Sequence, residues 1–174
     1  FLTHTLALEV RFENGLFIID TSAGPVRAQR VVLACGGLSF PGLGAGSFGF
    51  KTAQKFGLTI VQQRPALVGL SFPKALREQF CKLAGNSLQA AVSCGQHMFE
   101  DSLLFTHEGI SGPAVLSASL YWTPEQPVTI NFLPQDDALS LLHSQKNTAK
   151  TFSAALHGKL PPKIAKTLLG PLEG

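Results

Sequence analysis

Charge is scarce in this chain: 14% of its 174 residues are Asp, Glu, Lys or Arg, against about 25% in an ordinary globular domain. The net charge is only +3, and no Lys/Arg run is interleaved with aromatic residues. Neither a nucleic-acid groove nor a membrane-surface stripe is therefore expected here, so nucleic acid and membrane are not expected partners. Cysteine is sparse too. Cys35, Cys81 and Cys94 are odd in number and lack C-x-x-C spacing. That argues against a disulfide framework or a zinc ribbon and points to a reducing, cytoplasmic setting. His4, His97, His143 and His157 show no i,i+2 or i,i+4 spacing, so no metal site is expected. No stretch reaches the roughly 18 apolar residues of a membrane span, and the first residues carry neither a basic segment nor a small-residue cleavage site. Two motifs are missing as well. G-x-S-x-G would have marked a hydrolase elbow, and residues 1–30 lack the G-x-G-x-x-G with which a dinucleotide-binding chain ordinarily opens.

Hydrophobic residues make up 45% of the chain, and thirteen residues are Phe. So apolar a sequence either buries most of itself or docks against more of its own protein. The missing opening fingerprint favours the second reading, an internal fragment of a larger molecule. The length suits one domain with a proper core, or two small lobes.

Residues 6–12 alternate apolar and polar, Glu13-Asn14-Gly15 signals a turn, and residues 16–20 read as the returning strand of a hairpin. After a turn at Ser22-Ala23-Gly24-Pro25, residues 26–34 read as a strand buried on both faces. Ser47 is placed to cap a helix carrying Phe50, Ala53 and Phe56 on one side, and Gly57 to end it. Beyond that come short strands at 58–61, 67–72, 87–94, 97–104 and 128–133, with an irregular or helical excursion at 73–82 and a hairpin turn at Cys94-Gly95-Gln96. Such even punctuation favours a small barrel or sandwich. From Asp136-Asp137 the period becomes helical, with Leu139 and Leu142 in a first helix, Phe152 and Leu156 in a second capped by Thr148, and Ile164 and Leu168 in a third opened by Pro161-Pro162. Gly158 and Gly170-Pro171 supply stops.

Two segments carry candidate chemistry. The strand Val31-Val32-Leu33-Ala34-Cys35 runs into Gly36-Gly37 and then Gly42-Leu43-Gly44-Ala45-Gly46. A glycine-rich turn between strand and helix offers backbone N–H groups to a phosphate or a flavin edge, or is simply a turn chosen for packing. Cys35 reads as a reactive thiol or as a small, inert hydrophobe. The second segment is Phe105-Thr106-His107-Glu108-Gly109-Ile110-Ser111-Gly112-Pro113-Ala114. Pro113 suits the first position of a helix capped by Ser111 or Gly112, with Val115, Leu116 and Leu120 on its apolar side. Thr106, His107 and Ser111 would then cluster near free helix N–H groups, where they would hydrogen-bond a carbonyl gaining negative charge. His107 is also suited to passing a proton near neutral pH. The bland alternative ties the Thr-His side chains to a neighbouring carbonyl.

Residues 31–45, the helix end Lys55-Phe56-Gly57, the run Arg64-Pro65-Ala66-Leu67-Val68, and Leu104-Phe105-Thr106-His107-Glu108-Gly109-Ile110-Ser111-Gly112-Pro113-Ala114-Val115-Leu116 together resemble the BaiN/YhiN-type NAD(P)/FAD-dependent oxidoreductases. The resemblance implies an α+β chain. A short hairpin-and-strand segment of a glutathione-reductase-like FAD domain (1–70) would be followed by a small antiparallel β-barrel (71–134) and a helical subdomain (135–174). It implies hydride transfer between FAD and NAD(P)H or a small organic substrate, with Ala34, Cys35, Gly36, Gly37 and Gly44 beside FAD and Thr106, His107 and Ser111 on the substrate side. The chain departs from the family pattern at Cys35, where Thr is usual, and at Gly46-Ser47-Phe48-Gly49, where T-G-D-G is common. Its partner would be the remainder of its own FAD domain, and the fragment alone would be colourless and inactive. A self-standing β-barrel binding module without catalysis is the competing expectation.

Overall fold

In the computed structural model the described residues are 1–137, 156 and 158–169, and they divide into two compact units, Phe1–Arg64 and Pro65–Gly174. Residue 70, the expected end of the first segment, lies in the second unit. Residues 139, 142, 148 and 152, on which two of the expected tail helices turn, lie outside the described residues.

The first unit is a three-stranded antiparallel meander, β1 (Ala7–Glu13), β2 (Leu16–Thr21) and β3 (Val26–Ala28), followed by helix α1 (Phe48–Lys55). The hairpin forms where alternation and turn residues place it. Asn14 and Gly15 both take positive φ at the turn, as a two-residue hairpin loop requires. On one face Arg11 donates to both carboxylate oxygens of Asp20, at 3.0–3.2 Å, and also contacts Glu13. The Asp20 hydrogen bond, and then its charge, raises the Arg11 pKa. Phe17 packs against Phe12 and Phe56, at 4.9 and 5.7 Å between ring centroids, and Val10 and Thr52 are buried in the same unit. Helix α1 spans the expected stretch, and Gly57 (φ +79°) ends it while Leu58 N–H donates to Ala53.

The strand expected over 26–34 stops at Ala28, and register explains why. Ala28 lies opposite Phe17 and Val26 opposite Ile19, so continuing the ladder would carry it into the Asn14-Gly15 turn, where β2 has no backbone left to offer. Residues 31–34 stay outside any sheet, and Val32 is 87% exposed. Residues 58–61 are likewise not a strand.

The second unit carries a five-stranded antiparallel sheet that curls into a half-barrel. Its strands are β4 (Leu70–Ser71), β5 (Ser87–Cys94), β6 (His97–Phe105), β7 (Gly109–Ser111) and β8 (Val128–Asn131), in the order β4-β7-β6-β5-β8. The β5–β6 hairpin closes through Gly95-Gln96, with Cys94 opposite His97. Helix α2 (Lys74–Phe80) and a 3-10 turn at Cys81–Leu83 occupy the expected excursion. Helix α3 (Pro113–Ser119) packs on β6 and β5, and α4 (Pro162–Leu169) follows the expected Pro161-Pro162 opening. The core joins Val92, Leu103, Phe105, Ala114, Val115, Ala118 and Ile164, with Phe80 and Phe132 stacked about 6 Å from the Phe105 ring. The buried side of α3 is Ala114, Val115, Ala118 and Ser119, while Leu120 is exposed. Small residues win this face because α3 lies close against the sheet.

Candidate functional site

The glycine segment belongs to the first unit. Cys35 turns toward the first turn of α1, so that a Cβ on Gly49 would stand 2.9 Å from its Sγ. Gly36, at φ +74°, faces Ala45, and Gly37 faces the Phe50 ring. Gly44, also left-handed, caps the short turn Pro41–Leu43 by donating to the Pro41 carbonyl. The loop thus folds back on the start of α1. Ala34, Cys35, Gly36 and Gly44 are exposed, and Gly37 is half-buried. Among the described residues, 34–37 make no main-chain hydrogen bond. Exposed, unpaired backbone groups next to bare Val32 and Leu33 suit a ligand that accepts main-chain hydrogen bonds and lies on apolar surface, as a flavin dinucleotide does. The residues present therefore fit that cofactor. Ser47 stands at the α1 N-cap without a side-chain bond.

The second segment is divided by a strand that the sequence does not announce. Thr106-His107-Glu108-Gly109 is the turn between β6 and β7. In it Thr106 N–H donates to Gly109 O at 2.8 Å, and Gly109 N–H donates to Thr106 Oγ1 at 3.0 Å. The threonine hydroxyl thus accepts within its own turn, from a backbone N–H, rather than donating to the neighbouring carbonyl of the bland alternative. Glu108 is held from two sides, since its carbonyl accepts from Phe72 N–H at 2.9 Å and its carboxylate meets Arg77 at 2.8 Å. His107 is exposed at the tip and makes no side-chain hydrogen bond among the described residues. Ser111 sits at the far end of β7, half-buried beside Gly69.

Thr106 and His107 lie in the β6–β7 turn, and Ser111 stands at the far end of β7, opposite Leu104. β7 exists because Leu104 and Phe105 pair with Ser111 and Ile110 on one side, while Leu70 and Ser71 pair with Ile110 and Gly109 on the other. Gly109 permits this contact. A Cβ there would lie 2.0 Å from the Leu70 carbonyl oxygen. Gly112 (φ +95°) then turns the chain into α3, where a Cβ would stand 2.6 Å from the Ser102 carbonyl. What the structure does bring together is α3 and the segment 67–70, through Ser119. Its buried hydroxyl accepts from Val68 N–H at 3.0 Å and donates to the Leu116 carbonyl at 2.7 Å. No spacing rule signals that link, because it joins residues 51 apart.

A family model described as "HI0933-like protein barrel and H2TH domain" matches residues 64–173. The chain belongs to this family of flavoproteins. Among curated relatives, the HI0933-like chain is 38% identical over 164 residues to the ribosomal RNA dihydrouridine synthase of Escherichia coli, covering 92% of this chain and 41% of that protein. It is 36% identical over 159 residues to the protein of the same name from Haemophilus influenzae, covering 90% and 36%. It is 32% identical over 169 residues to the 3-dehydro-bile acid delta(4,6)-reductase of Clostridium scindens, covering 88% and 41%. The chain therefore spans about two fifths of the length of the curated relatives it matches. Among the described residues no helix is long and apolar enough to cross a membrane, and no group of three or more His, Cys, Asp or Glu side chains is placed to hold a metal ion.

Proposed function

We propose that this chain works within a flavin-dependent reductase, cytoplasmic and served by FAD and NAD(P)H, that saturates a carbon–carbon double bond conjugated to a carbonyl. One observation carries the reading: relatives with two different names share one bond type. A dihydrouridine synthase saturates the ring double bond of uracil next to its carbonyl, and a delta(4,6)-reductase of a 3-dehydro steroid acts on double bonds conjugated to the 3-oxo group. The competing expectation, a binding module without chemistry, has no counterpart among these three named enzymes.

When bound and reduced by NAD(P)H, the flavin would supply the hydride for such a reaction. Ala34, Cys35, Gly36, Gly37 and Gly44 give the cofactor exposed main chain, and the lack of side-chain bulk at the glycines lets it approach closely. The Ser111 hydroxyl donates to the substrate carbonyl. His107, exposed at its turn, delivers the proton to the carbon that does not receive hydride, so that one hydride and one proton saturate the bond. Thr106 contributes indirectly, by holding the turn that presents His107. Uracil in ribosomal RNA is the favoured substrate, because both higher identities carry that name. The low charge of these 174 residues, which argued against a nucleic-acid groove here, then implies that most phosphate contacts come from elsewhere in the protein.

The test is an absorbance spectrum and NAD(P)H-oxidation assay on the whole protein, with a uridine-containing ribosomal RNA transcript and a 3-oxo-4-ene steroid as alternative substrates. A yellow protein that reduces one of them is expected. His107→Ala should lower kcat by about 100-fold or more, as loss of a general acid does, with flavin content unchanged. A colourless protein, or one that reduces neither compound, would overturn the reading.

A further inference from the structure

His107 and Glu108 stand side by side at the centre of the β6–β7 turn, so the imidazole that delivers the proton has a carboxylate as its chain neighbour. That is a chemical liability. A protonated imidazole attracts an adjacent carboxylate, and an N–H donated to Glu108 would be an N–H turned away from the substrate. The structure shows the carboxylate engaged elsewhere. One of its oxygens lies 2.8 Å from the guanidinium of Arg77 on α2, while the imidazole makes no side-chain hydrogen bond among the described residues. The turn itself does not depend on that ion pair. Thr106 N–H donates to Gly109 O at 2.8 Å, Gly109 N–H to Thr106 Oγ1 at 3.0 Å, and Phe72 N–H to the Glu108 carbonyl at 2.9 Å. None of these bonds uses the Arg77 side chain. The pair is also largely exposed, with 44% of the Arg77 side chain and 67% of the Glu108 side chain open to solvent, so it adds little to the stability of the fold. Its consequence is local: it fixes where the Glu108 carboxylate points.

We infer that Arg77 is a positioning residue for His107, pairing with the Glu108 carboxylate so that this group does not capture the imidazolium and the imidazole N–H stays free for the substrate carbon. This rests on the reductase reading and deepens it by naming what keeps its proton donor available. An arginine suits the task because its guanidinium stays charged at any working pH. The carboxylate is therefore held whatever the protonation state of His107.

The experiment measures kcat and KM of the whole protein on the same ribosomal RNA transcript for wild type, Arg77→Ala, Arg77→Lys, and Arg77→Ala combined with Glu108→Gln. Arg77→Ala is expected to lower kcat about threefold to fivefold, the most that one exposed ion pair shifts a local equilibrium, with KM within about twofold and flavin absorbance unchanged. Arg77→Lys keeps the cation and should retain most of the wild-type kcat. The double variant separates positioning from plain structure. With the carboxylate gone nothing competes for the imidazole, so kcat should return to within about twofold of wild type, whereas a pair that only braced the turn would leave the double variant as slow as Arg77→Ala. An unchanged kcat in Arg77→Ala, or a double variant no faster than it, would overturn the inference while leaving the reductase reading intact. A wild-type protein without reductase activity, or one whose kcat is insensitive to His107→Ala, would overturn both.

Discussion

Replacing Gly109 by Ala tests whether space, rather than backbone freedom, keeps a glycine in the β6–β7 hairpin. Gly109 is absent from the positive-φ residues, so on conformational grounds alanine would be accepted there and would stabilise by about 0.4–1 kcal/mol through the unfolded chain. The opposite is expected. The added Cβ would meet the Leu70 carbonyl oxygen at 2.0 Å and the Ser71 Cα at 2.8 Å. Both obstacles are backbone, so no rotamer change relieves them and β4 must leave β7. That forfeits a ladder of two residue pairs, at roughly 0.5–1.5 kcal/mol per hydrogen bond. It also partly uncovers Ile110, whose full exposure would cost about 1.5–3 kcal/mol. The total is about 3–5 kcal/mol, at the upper end for single substitutions. Urea denaturation of this chain followed by circular dichroism would read it directly, with Gly85→Ala as control. Gly85 has φ +83° and no neighbour within 4 Å of a would-be Cβ, so only a conformational penalty of about 1 kcal/mol applies. If Gly109→Ala proves no more damaging than Gly85→Ala, the close approach of β4 to β7 is wrong.

Phe105→Ala should destabilise by about 3–5 kcal/mol, since Phe105 is fully buried between Phe80 and Phe132; the same urea titration measures it, and a loss below 1 kcal/mol would contradict its central place. Ser119→Ala removes the acceptor of Val68 N–H and should cost about 1–3 kcal/mol, read as a shift in denaturation midpoint with an unchanged slope. By contrast, Arg77→Ala should change stability by less than about 1 kcal/mol, because its Glu108 partner is largely exposed, and salt titration of the wild type should reveal no large electrostatic loss.

Elements defined by local patterning were legible in the sequence. The hairpins β1–β2 and β5–β6, helix α1 with its Gly57 stop, and α4 behind Pro161-Pro162 all follow from alternation, turn residues and caps, which act within a few positions. Long-range partners decided the rest. Residues 31–34 have the composition of a buried strand but no pairing partner among the described residues, because β2 runs out opposite them. β7 is three residues of Gly-Ile-Ser with little strand propensity of their own, and it becomes a strand because β6 and β4 flank it. The glycine loop and the Thr-His turn were recognisable as candidates by residue type and order. That Val68 is tied to Ser119 was not, since it depends on a hydroxyl reaching across 51 positions.

The connection between β5 and β6 is only two residues long, whereas β8 joins β5 after more than thirty residues of intervening chain. Closing so short a loop is fast, on the order of microseconds for a hairpin, and each doubling of loop length adds about 0.6 kcal/mol of closure entropy. Assembly of the half-barrel is therefore expected to nucleate on this hairpin with α3 laid across it, and to add β8 late. In kinetic terms, truncating Phe99 should mainly slow refolding, while truncating Ile130 should mainly hasten unfolding; the reverse partition in stopped-flow measurements would place the nucleus elsewhere.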